Sequence, residues 1–271
     1  MGLKRLMEYD PVRFQCSAFA VVSEESMADL CRAYGIEYIT YPNDPVGMKK
    51  NAGMDEVLKR KDFDYLIELG SDDLILNGIL DSYEPYMQAG EHFFGAKQIV
   101  FIDAIMGHCR QWAFDPELNP GLGRCMSRKL LETLTGKVYV KALTPIISDN
   151  NVIPQGKCGF LEKEEADTFE KLGWVEKQPD SVGTFMWSPI NRGLDNDSTA
   201  RIMKKGFVHK TVVTPEPMLI DMKSDENIWG FNPEGGEPYD IEKVLSKLTP
   251  KERSKFFANQ KALHRKRVEV A

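Results

Sequence analysis

Residues 63–73 read FDYLIELGSDD, and this stretch decides the fold. Phe63 to Leu69 is apolar enough for a central strand, which ends in Gly-Ser-Asp-Asp at 70–73. In open α/β sheets, ligands bind in the crevice at the carboxyl ends of the strands. The stretch therefore predicts a buried strand that brings two neighbouring carboxylates to a ligand-binding crevice.

The residues before this stretch alternate between predicted strands and predicted helices. Phe14 to Ser23 and Ile36 to Tyr41 are apolar runs typical of buried strands. The helix predicted between them runs through Tyr34, and Gly35 stands where a helix ends. Another helix is predicted from Lys49 to Arg60. A strand, helix, strand order with short connections favours a parallel sheet in a wound α/β fold.

The remaining segments are less regular. Phe93 to Ile105 indicates two strands or a hairpin. From Ile220 onward, many Gly, Pro and Asp residues predict irregular structure before a helical C-terminus. Shorter helices are predicted at Leu3–Tyr9, Lys129–Leu134, Glu162–Leu172 and Ser198–Lys205.

Composition narrows the class of protein. The 271 residues carry a formal net charge of −6, and 42% of them are hydrophobic. This is typical of a globular protein, and the acidic balance argues against a general polyanion binder. No apolar run approaches the roughly 18 residues that a membrane-spanning helix requires. The five cysteines are scattered without a C-x-x-C pair, which predicts reduced thiols in a cytoplasmic protein.

Asp72 and Asp73 form the first candidate site. Adjacent carboxylates supply the hard oxygen ligands that Mg²⁺ and Mn²⁺ prefer. A divalent ion held there can clamp a diphosphate and neutralise the charge that builds as the diphosphate leaves. The alternative is a β-turn in which an aspartate caps a helix.

Two further segments carry polar residues near helix starts. Residues 43–53 read NDPVGMKKNAG, a tight loop with two lysines, an amide and small residues where a helix begins. Helix N-termini and lysines favour anions, and the alternative is a surface loop with a basic helix face. Residues 193–202 read GLDNDSTARI. Asp195 or Asp197 either caps the helix that follows or acts from a loop as a general base toward an acceptor hydroxyl.

Together these three segments resemble the family 2 glycosyltransferases and their relatives with the GT-A fold. That family carries N-x-G-x(2–3)-[RK]-N-x-G, then a strand ending in D-x-D or D-D, then E-D-x-D-x-x-x-R-[LI]-x-x-x-G. Asn43 with residues 50–53 is similar to the first element, and residues 63–73 are similar to the second. Residues 194–206 match the third in spacing, with its Arg and closing Gly. Residues 119–128, NPGLGRCMSR, resemble the Gly-rich segment before the family's acceptor site.

The resemblance implies transfer of a sugar from a nucleotide-diphosphate sugar, often a uridine diphosphate sugar, with inversion at the anomeric carbon. Asp73 with Asp72 would hold Mn²⁺ or Mg²⁺ and the donor diphosphate, and Asp195 falls on the position of the general base. The implied site residues are Asp195 and Asp197 for catalysis, Asn43, Lys50, Asn51, Gly53 and Asp72 for the donor, Gly123, Arg124, Arg128 and Arg201 on the acceptor side, and Asp72 and Asp73 for the metal.

The implied fold is a GT-A-type, Rossmann-like wound mixed sheet flanked by helices, with an irregular acceptor-side C-terminal part. Its parts would be a nucleotide-sugar-binding half over 1–110, an acceptor-side half over 111–235 and a helical basic tail over 236–271. The sequence departs from the family at Leu194, where Glu is usual, and at Gly70, where some members have the first Asp. The fold's first strand is not visible, because the chain starts within the helix that would follow it.

Two other classes of protein stay open. A nucleotidyltransferase would also use an acidic pair and a metal, with a Gly-rich basic loop after its first strand. A catalytically silent GT-A-like binding module would keep the fold alone. For the acceptor, the basic segment Lys251–Arg267 holds seven Lys or Arg against one Glu. That segment makes modified DNA one candidate acceptor, and a solvated terminal helix is the alternative interpretation.

Overall fold

The computed structural model describes residues 2–60, 63–76, 78–103, 106–114, 121–134, 137–148, 151–183, 194–223, 231–254 and 257. Within these residues the chain mixes helices with parallel and antiparallel strands, which confirms the predicted α/β class. The chain divides into two compact units. Unit 1 comprises residues 1–18, 65–126 and 209–271, and unit 2 comprises residues 19–64 and 127–208. The division into donor, acceptor and tail parts stays a prediction.

The helices of the described residues are α1 (Gly2–Met7), α2 (Glu25–Tyr34), α3 (Val46–Lys59), α4 (Ile79–Gln88), α5 (Arg128–Thr133), α6 (Lys163–Lys171), α7 (Leu194–Lys204) and α8 (Ile241–Leu245). The strands are β1 (Phe19–Val22), β2 (Glu37–Thr40), β3 (Tyr65–Ile67), β4 (Asp73–Ile75), β5 (Phe93–Ala96), β6 (Gln98–Asp103), β7 (Cys109–Ala113), β8 (Cys125–Ser127), β9 (Lys137–Ala142), β10 (Ile146–Ser148), β11 (Asn151–Ile153), β12 (Cys158–Glu162), β13 (Val175–Gly183), β14 (Lys210–Val212), β15 (Leu219–Lys223) and β16 (Glu237–Pro238).

Unit 2 contains the predicted strand, helix, strand order. β1 and β2 pair in parallel, with Val22 opposite Thr40, and both strands are shorter than the sequence predicts. Their connection, α2, ends at Gly35, whose φ of 64° is the left-handed conformation that glycine adopts at low cost. Ala28 and Cys31 of α2 are buried with Val22 in one cluster. The parallel pairing confirms the prediction, since a helix must cross over to return the chain in the same direction.

The next helix, α3, packs closely on β1. It begins at Val46, earlier than the predicted Lys49. A Cβ added to Gly53 would lie 2.6 Å from Cγ2 of Val21, so a glycine is needed where the helix approaches the strand. Packing is therefore the role that the structure gives Gly53, and its contact with a donor stays a prediction.

A second group of strands in unit 2 surrounds β9, which pairs antiparallel with β12 and with β13. The predicted helix at Glu162–Leu172 is α6, and it covers this sheet. Ala166 and Phe169 of α6 pack against Val138 and Leu161. Ala166 and Phe169 are three positions apart and lie on one face of α6. They thus pack against alternate residues of the strands and complete this core.

Unit 1 contains two larger sheets. One has the order β14-β5-β8-β3, and the other has the order β16-β7-β6-β15-β4. The region predicted as two strands or a hairpin forms β5 and β6, which belong to different sheets, so the hairpin alternative is wrong. Two buried clusters hold this unit together, one around Phe94 and Ile99 and the other around Val100 and Ile220.

The predicted irregular structure from Ile220 onward is wrong at its start. Residues 219–223 form β15, which lies between β4 and β6 inside the five-stranded sheet. Ile220 and Met222 face one cluster and Leu219 faces the other. Asp221 and Lys223 interrupt the apolar run of β15. Because of these two charged residues, the sequence pattern does not indicate a strand with both faces covered.

Gly123 gives a test of the packing in unit 1. Its φ is 69°, and an added Cβ would lie 2.5 Å from Cδ1 of Leu219 and 3.2 Å from Oη of Tyr83. Gly123→Ala is expected to lower the free energy of unfolding by about 2–4 kcal/mol, because strain and overpacking add. Urea denaturation measures this loss. The matched control is Gly90→Ala, where φ is 72° but the space is open, and about 1 kcal/mol is expected. Equal losses in the two variants would contradict the packing argument.

Candidate metal centre

The turn between β3 and β4 positions the neighbouring carboxylates of Asp72 and Asp73. β3 ends at Ile67, and the chain turns through Gly70 before β4 begins at Asp73. The amide N–H of Asp73 donates to the carbonyl oxygen of Gly70 at 3.4 Å, and the N–H of Gly70 donates to the Asp73 carboxylate. A Cβ on Gly70 would lie 2.9 Å from Oδ1 of Asp72 and 3.0 Å from Oδ2 of Asp73. The carboxylates of Asp72 and Asp73 therefore both lie close to Gly70.

A third carboxylate, Asp221, joins the pair from β15. β15 runs antiparallel to β4, and Asp221 is the direct partner of Asp73. The N–H of Met222 donates to the carbonyl oxygen of Asp72 at 3.0 Å, which fixes the turn to the same strand. One carboxylate oxygen from each of Asp72, Asp73 and Asp221 lies within 4.8 Å of the others. We call these three residues the aspartate trio.

The aspartate trio perturbs Asp73 strongly. Burial is the main cause that raises the pKa of Asp73 to about 8, and the negative charges of Asp221 and Asp72 raise it further. The N–H of Gly70 and the ammonium of Lys223 oppose this rise. Three acidic groups so close together disfavour full ionisation, and a bound cation reverses that preference. The trio is thus chemically suited to a cation.

The donor set fits a hard divalent ion. Three carboxylates offer oxygen ligands, which Mg²⁺ and Mn²⁺ prefer over nitrogen or sulfur. Lys223 lies beside them, with its Nζ 2.6 Å from Oδ2 of Asp221 and 3.9 Å from Oδ2 of Asp72. When all three carboxylates are ionised to bind a cation, the one ammonium leaves a formal charge of −2, which matches a divalent ion.

The structure thus adds Asp221 as a third possible ligand, and Lys223 as its neighbour, to the site predicted at Asp72 and Asp73. The sequence pointed to neither Asp221 nor Lys223 as part of this site. The only local signal was an aspartate inside the apolar run Leu219-Ile220-Asp221-Met222. A charged residue that interrupts a buried strand is a candidate functional residue, because burying a charge without a partner is costly.

In unit 2, the predicted donor segment places Lys49 with Asn43. Nζ of Lys49 donates to Oδ1 of Asn43 at 3.1 Å and to Oγ of Ser23 at 3.3 Å. Burial lowers the pKa of Lys49, and the charge of Glu24 opposes this. Ser23 follows β1, and Asn43 follows β2, so the ammonium lies where parallel strands end. The sequence selected Lys50, and the structure adds Lys49 and Ser23 to the candidate residues.

The other predicted donor residues in α3 differ in exposure. Lys50 is partly exposed. Asn51 is buried, and its amide nitrogen lies 4.0 Å from Sδ of Met48. Because the side chain of Asn51 is enclosed by the protein, the geometry favours a structural role for it within α3. The contacts of both residues with a donor stay predictions.

The predicted start of the helix after residue 193 is wrong. α7 begins at Leu194 rather than Ser198, so Asp195 and Asp197 lie in its first turn and not in a loop. Acidic groups in a first turn are favoured by the helix dipole. Nε of Arg201 donates to both carboxylate oxygens of Asp197, at 3.2 and 3.1 Å, one turn later. Asp197 therefore supports the helix, and the general-base role of Asp195, which the resemblance implies, stays a prediction.

The segments at residues 43–53 and 194–206 both contact Phe160 in unit 2. The guanidinium of Arg201 lies 4.9 Å from the ring centroid of Phe160. Phe160 is buried against Met48, which belongs to the predicted donor segment. The fold thus brings the segments around Met48 and Arg201 to one aromatic ring, although they are far apart in sequence. Arg201 contributes to this packing, and its predicted acceptor-side role stays a prediction.

The remaining acceptor-side residues make internal contacts. Arg124 is fully buried, and its Nη1 lies 3.5 Å from Oε2 of Glu68. Arg128 donates from Nε to Oε1 of Glu132 at 2.7 Å and lies over the ring of Phe63. These contacts give both arginines structural roles. Their contact with an acceptor, like that of Gly123, stays a prediction.

The sequence matches none of the protein-family models and none of the curated proteins with which it was compared. None of the helices in the described ranges is long and apolar enough to cross a bilayer. The five cysteines all lie in those ranges, and none forms a disulfide. Of the basic segment 251–267, only residues 251–254 and 257 are described, so most of it lies outside the described residues.

Proposed function

We propose that this chain is a metal-dependent glycosyltransferase of the GT-A type. It moves a sugar from a nucleotide-diphosphate sugar, a uridine diphosphate sugar first of all, to a hydroxyl acceptor. The observation that carries the proposal is the aspartate trio, which joins the predicted acidic pair to a carboxylate from a neighbouring strand. The order and spacing of the three sequence motifs support the same reaction.

The aspartate trio would hold Mn²⁺ or Mg²⁺ at the rim of the five-stranded sheet. When bound, the ion supplies positive charge that stabilises the departing diphosphate. The residues of the chain do the positioning. The turn at Gly70 presents Asp72 and Asp73, and the pairing of β4 with β15 presents Asp221.

Asp195 is proposed as the general base that takes the proton of the acceptor hydroxyl. In-line attack by that oxygen would invert the configuration at the anomeric carbon. Asp195 occupies the first turn of α7, where the backbone of the helix fixes its position. The carboxylate of Asp197 forms an ion pair with Arg201 at 3.1 Å, which gives Asp197 a structural role in α7.

Asp195→Asn is expected to lower sugar transfer by about 100- to 10,000-fold, the usual contribution of a general base. Binding of the donor is expected to change little, because an amide keeps the size of the side chain. Transfer is followed by nucleoside diphosphate release with the acceptor present, and binding by calorimetry. Asp29→Asn, at an exposed carboxylate of the same unit, is the control. An Asp195→Asn protein with full activity would remove this residue from the role.

The experiment that tests the proposed function is a donor screen with Mn²⁺. Release of nucleoside diphosphate from nucleotide sugars supports the proposal. Release of pyrophosphate from nucleoside triphosphates would instead indicate a nucleotidyltransferase. A silent binding module would release neither product. Thermal stability is the parallel measurement, since a ligand at 100 times its dissociation constant adds about 2.7 kcal/mol. No stabilisation by any nucleotide with metal would contradict the proposal.

The same assay can be used to identify the acceptor. Adding candidate hydroxyl compounds should accelerate release of nucleoside diphosphate when one of them is the acceptor. A modified-DNA acceptor requires a cationic surface on a chain whose net charge is −6. DNA binding that weakens steeply with salt would support it.

A further inference from the structure

We propose that Lys223 is a resident cation of the metal centre. In the metal-free chain it holds Asp221, it must release that carboxylate when a divalent ion binds, and it then binds the diphosphate of the donor. The inference rests on the proposed function and assigns a residue that the sequence motifs do not include.

The contacts of Lys223 place it inside the site. Its Nζ lies 2.6 Å from Oδ2 of Asp221, and the side chains of Lys223 and Asp221 are each 13% exposed. The two residues are two positions apart on β15, so they share a face of the sheet. The same Nζ lies 3.9 Å from Oδ2 of Asp72. Lys223 therefore contacts two of the three carboxylates that would bind the metal.

An aromatic ring also lies near the ammonium of Lys223. Phe101 of β6 is the direct strand partner of Asp221, and the Nζ of Lys223 lies 5.6 Å from its ring centroid. An aromatic ring at this distance attracts an ammonium group. When a metal takes Asp221, Lys223 can stay in the site beside Phe101 rather than return to bulk water.

The charges of the site determine the order in which the metal and the diphosphate bind. With all three carboxylates ionised, the aspartate trio and Lys223 carry a formal charge of −2, and a negatively charged site repels the diphosphate of a donor. A divalent cation brings the sum to zero and displaces the ammonium from Asp221. The ammonium then gains a phosphate oxygen as its partner. Lys223 should thus weaken binding of the metal alone and strengthen binding of the diphosphate.

Lys223→Met separates these two effects, because methionine keeps most of the side-chain length and removes the charge. In the full chain without nucleotide, Mn²⁺ should bind about tenfold more tightly than in the wild type, since a competing charge has been removed. At saturating Mn²⁺, uridine diphosphate should bind about tenfold more weakly. Mn²⁺ binding is measured by electron paramagnetic resonance and uridine diphosphate binding by calorimetry.

Two further variants make the comparison specific. Lys210→Met removes the same charge from unit 1 at a surface pair with Glu91, and it should leave both affinities within about twofold. Lys223→Arg keeps the charge, so Mn²⁺ should bind as in the wild type. Thermal melting checks that each variant is folded.

The proposal is overturned if Lys223→Met fails to tighten Mn²⁺ binding or leaves uridine diphosphate binding unchanged. It is also overturned if neither the wild type nor Lys223→Met binds Mn²⁺. Failure of the proposed function gives a different result. In that case Mn²⁺ affinity still rises and uridine diphosphate affinity still falls in Lys223→Met, but the wild type cleaves no nucleotide sugar.

Discussion

Asp73→Asn is expected to lower metal-dependent release of nucleoside diphosphate by about 1,000-fold, a loss of about 4 kcal/mol of transition-state stabilisation. Asp73 lies in the middle of the aspartate trio, between the turn at Gly70 and its strand partner Asp221. An amide keeps the shape and removes the charge, so the two remaining carboxylates hold the cation far more weakly.

The measurement is the initial rate of nucleoside diphosphate release over a range of Mn²⁺ concentrations. Asp81→Asn is the matched control, because Asp81 lies on α4 of the same unit and forms an exposed pair with Arg13. Exposed pairs contribute about 0–1 kcal/mol, so this variant should keep its activity. Saturation with Mn²⁺ at the wild-type concentration in Asp73→Asn would show that the trio is not the metal site.

The second large effect concerns stability and pH in the metal-free protein. The pKa of Asp73 is raised to about 8 from an ordinary value of 3.8, mainly by burial. A raised pKa in the folded state means that the folded chain holds this proton more tightly than the unfolded chain. The contribution of Asp73 to stability is therefore fully present below pH about 4 and is lost as the pH rises to about 8.

A pKa difference of one is worth about 1.4 kcal/mol. Partial access of solvent to the site reduces the full effect, and we expect the wild type to lose on the order of 3 kcal/mol relative to Asp73→Asn over this range. Urea denaturation in the presence of a chelator, at steps from pH 4 to pH 8, gives both curves. Their difference isolates Asp73 from the other groups that titrate. Parallel curves would contradict the burial of Asp73.

Bound Mn²⁺ should reverse this loss of stability with rising pH. Because ligands bind a cation in the deprotonated form, the stabilisation by Mn²⁺ is expected to grow as the pH rises toward 8. Asp73→Asn should show little stabilisation at any pH. The pair of measurements connects the electrostatics of the trio to the proposed function without an assay of the reaction.

The sequence by itself determined the local features of this protein. Apolar runs and glycine positions were enough to predict β1, α2 and β2 in parallel order, with α2 ending at Gly35. They were also enough to place Asp72 and Asp73 after a strand, β3. The predicted central, buried position of that strand is wrong, because β3 is the last strand in the order of its sheet and its residues are only partly buried. These signals are local, because periodicity and turn chemistry depend on residues within a few positions of each other.

Only the tertiary structure decided how the site is completed. Asp221 and Lys223 reach the acidic pair through the pairing of β15 with β4, and no local pattern states which strands will pair. The same is true of Arg124, whose burial against Glu68 depends on strands from separate segments. The physical reason is that long-range pairing is selected by the total free energy of the packed sheet. That sum is not contained in any single stretch of sequence.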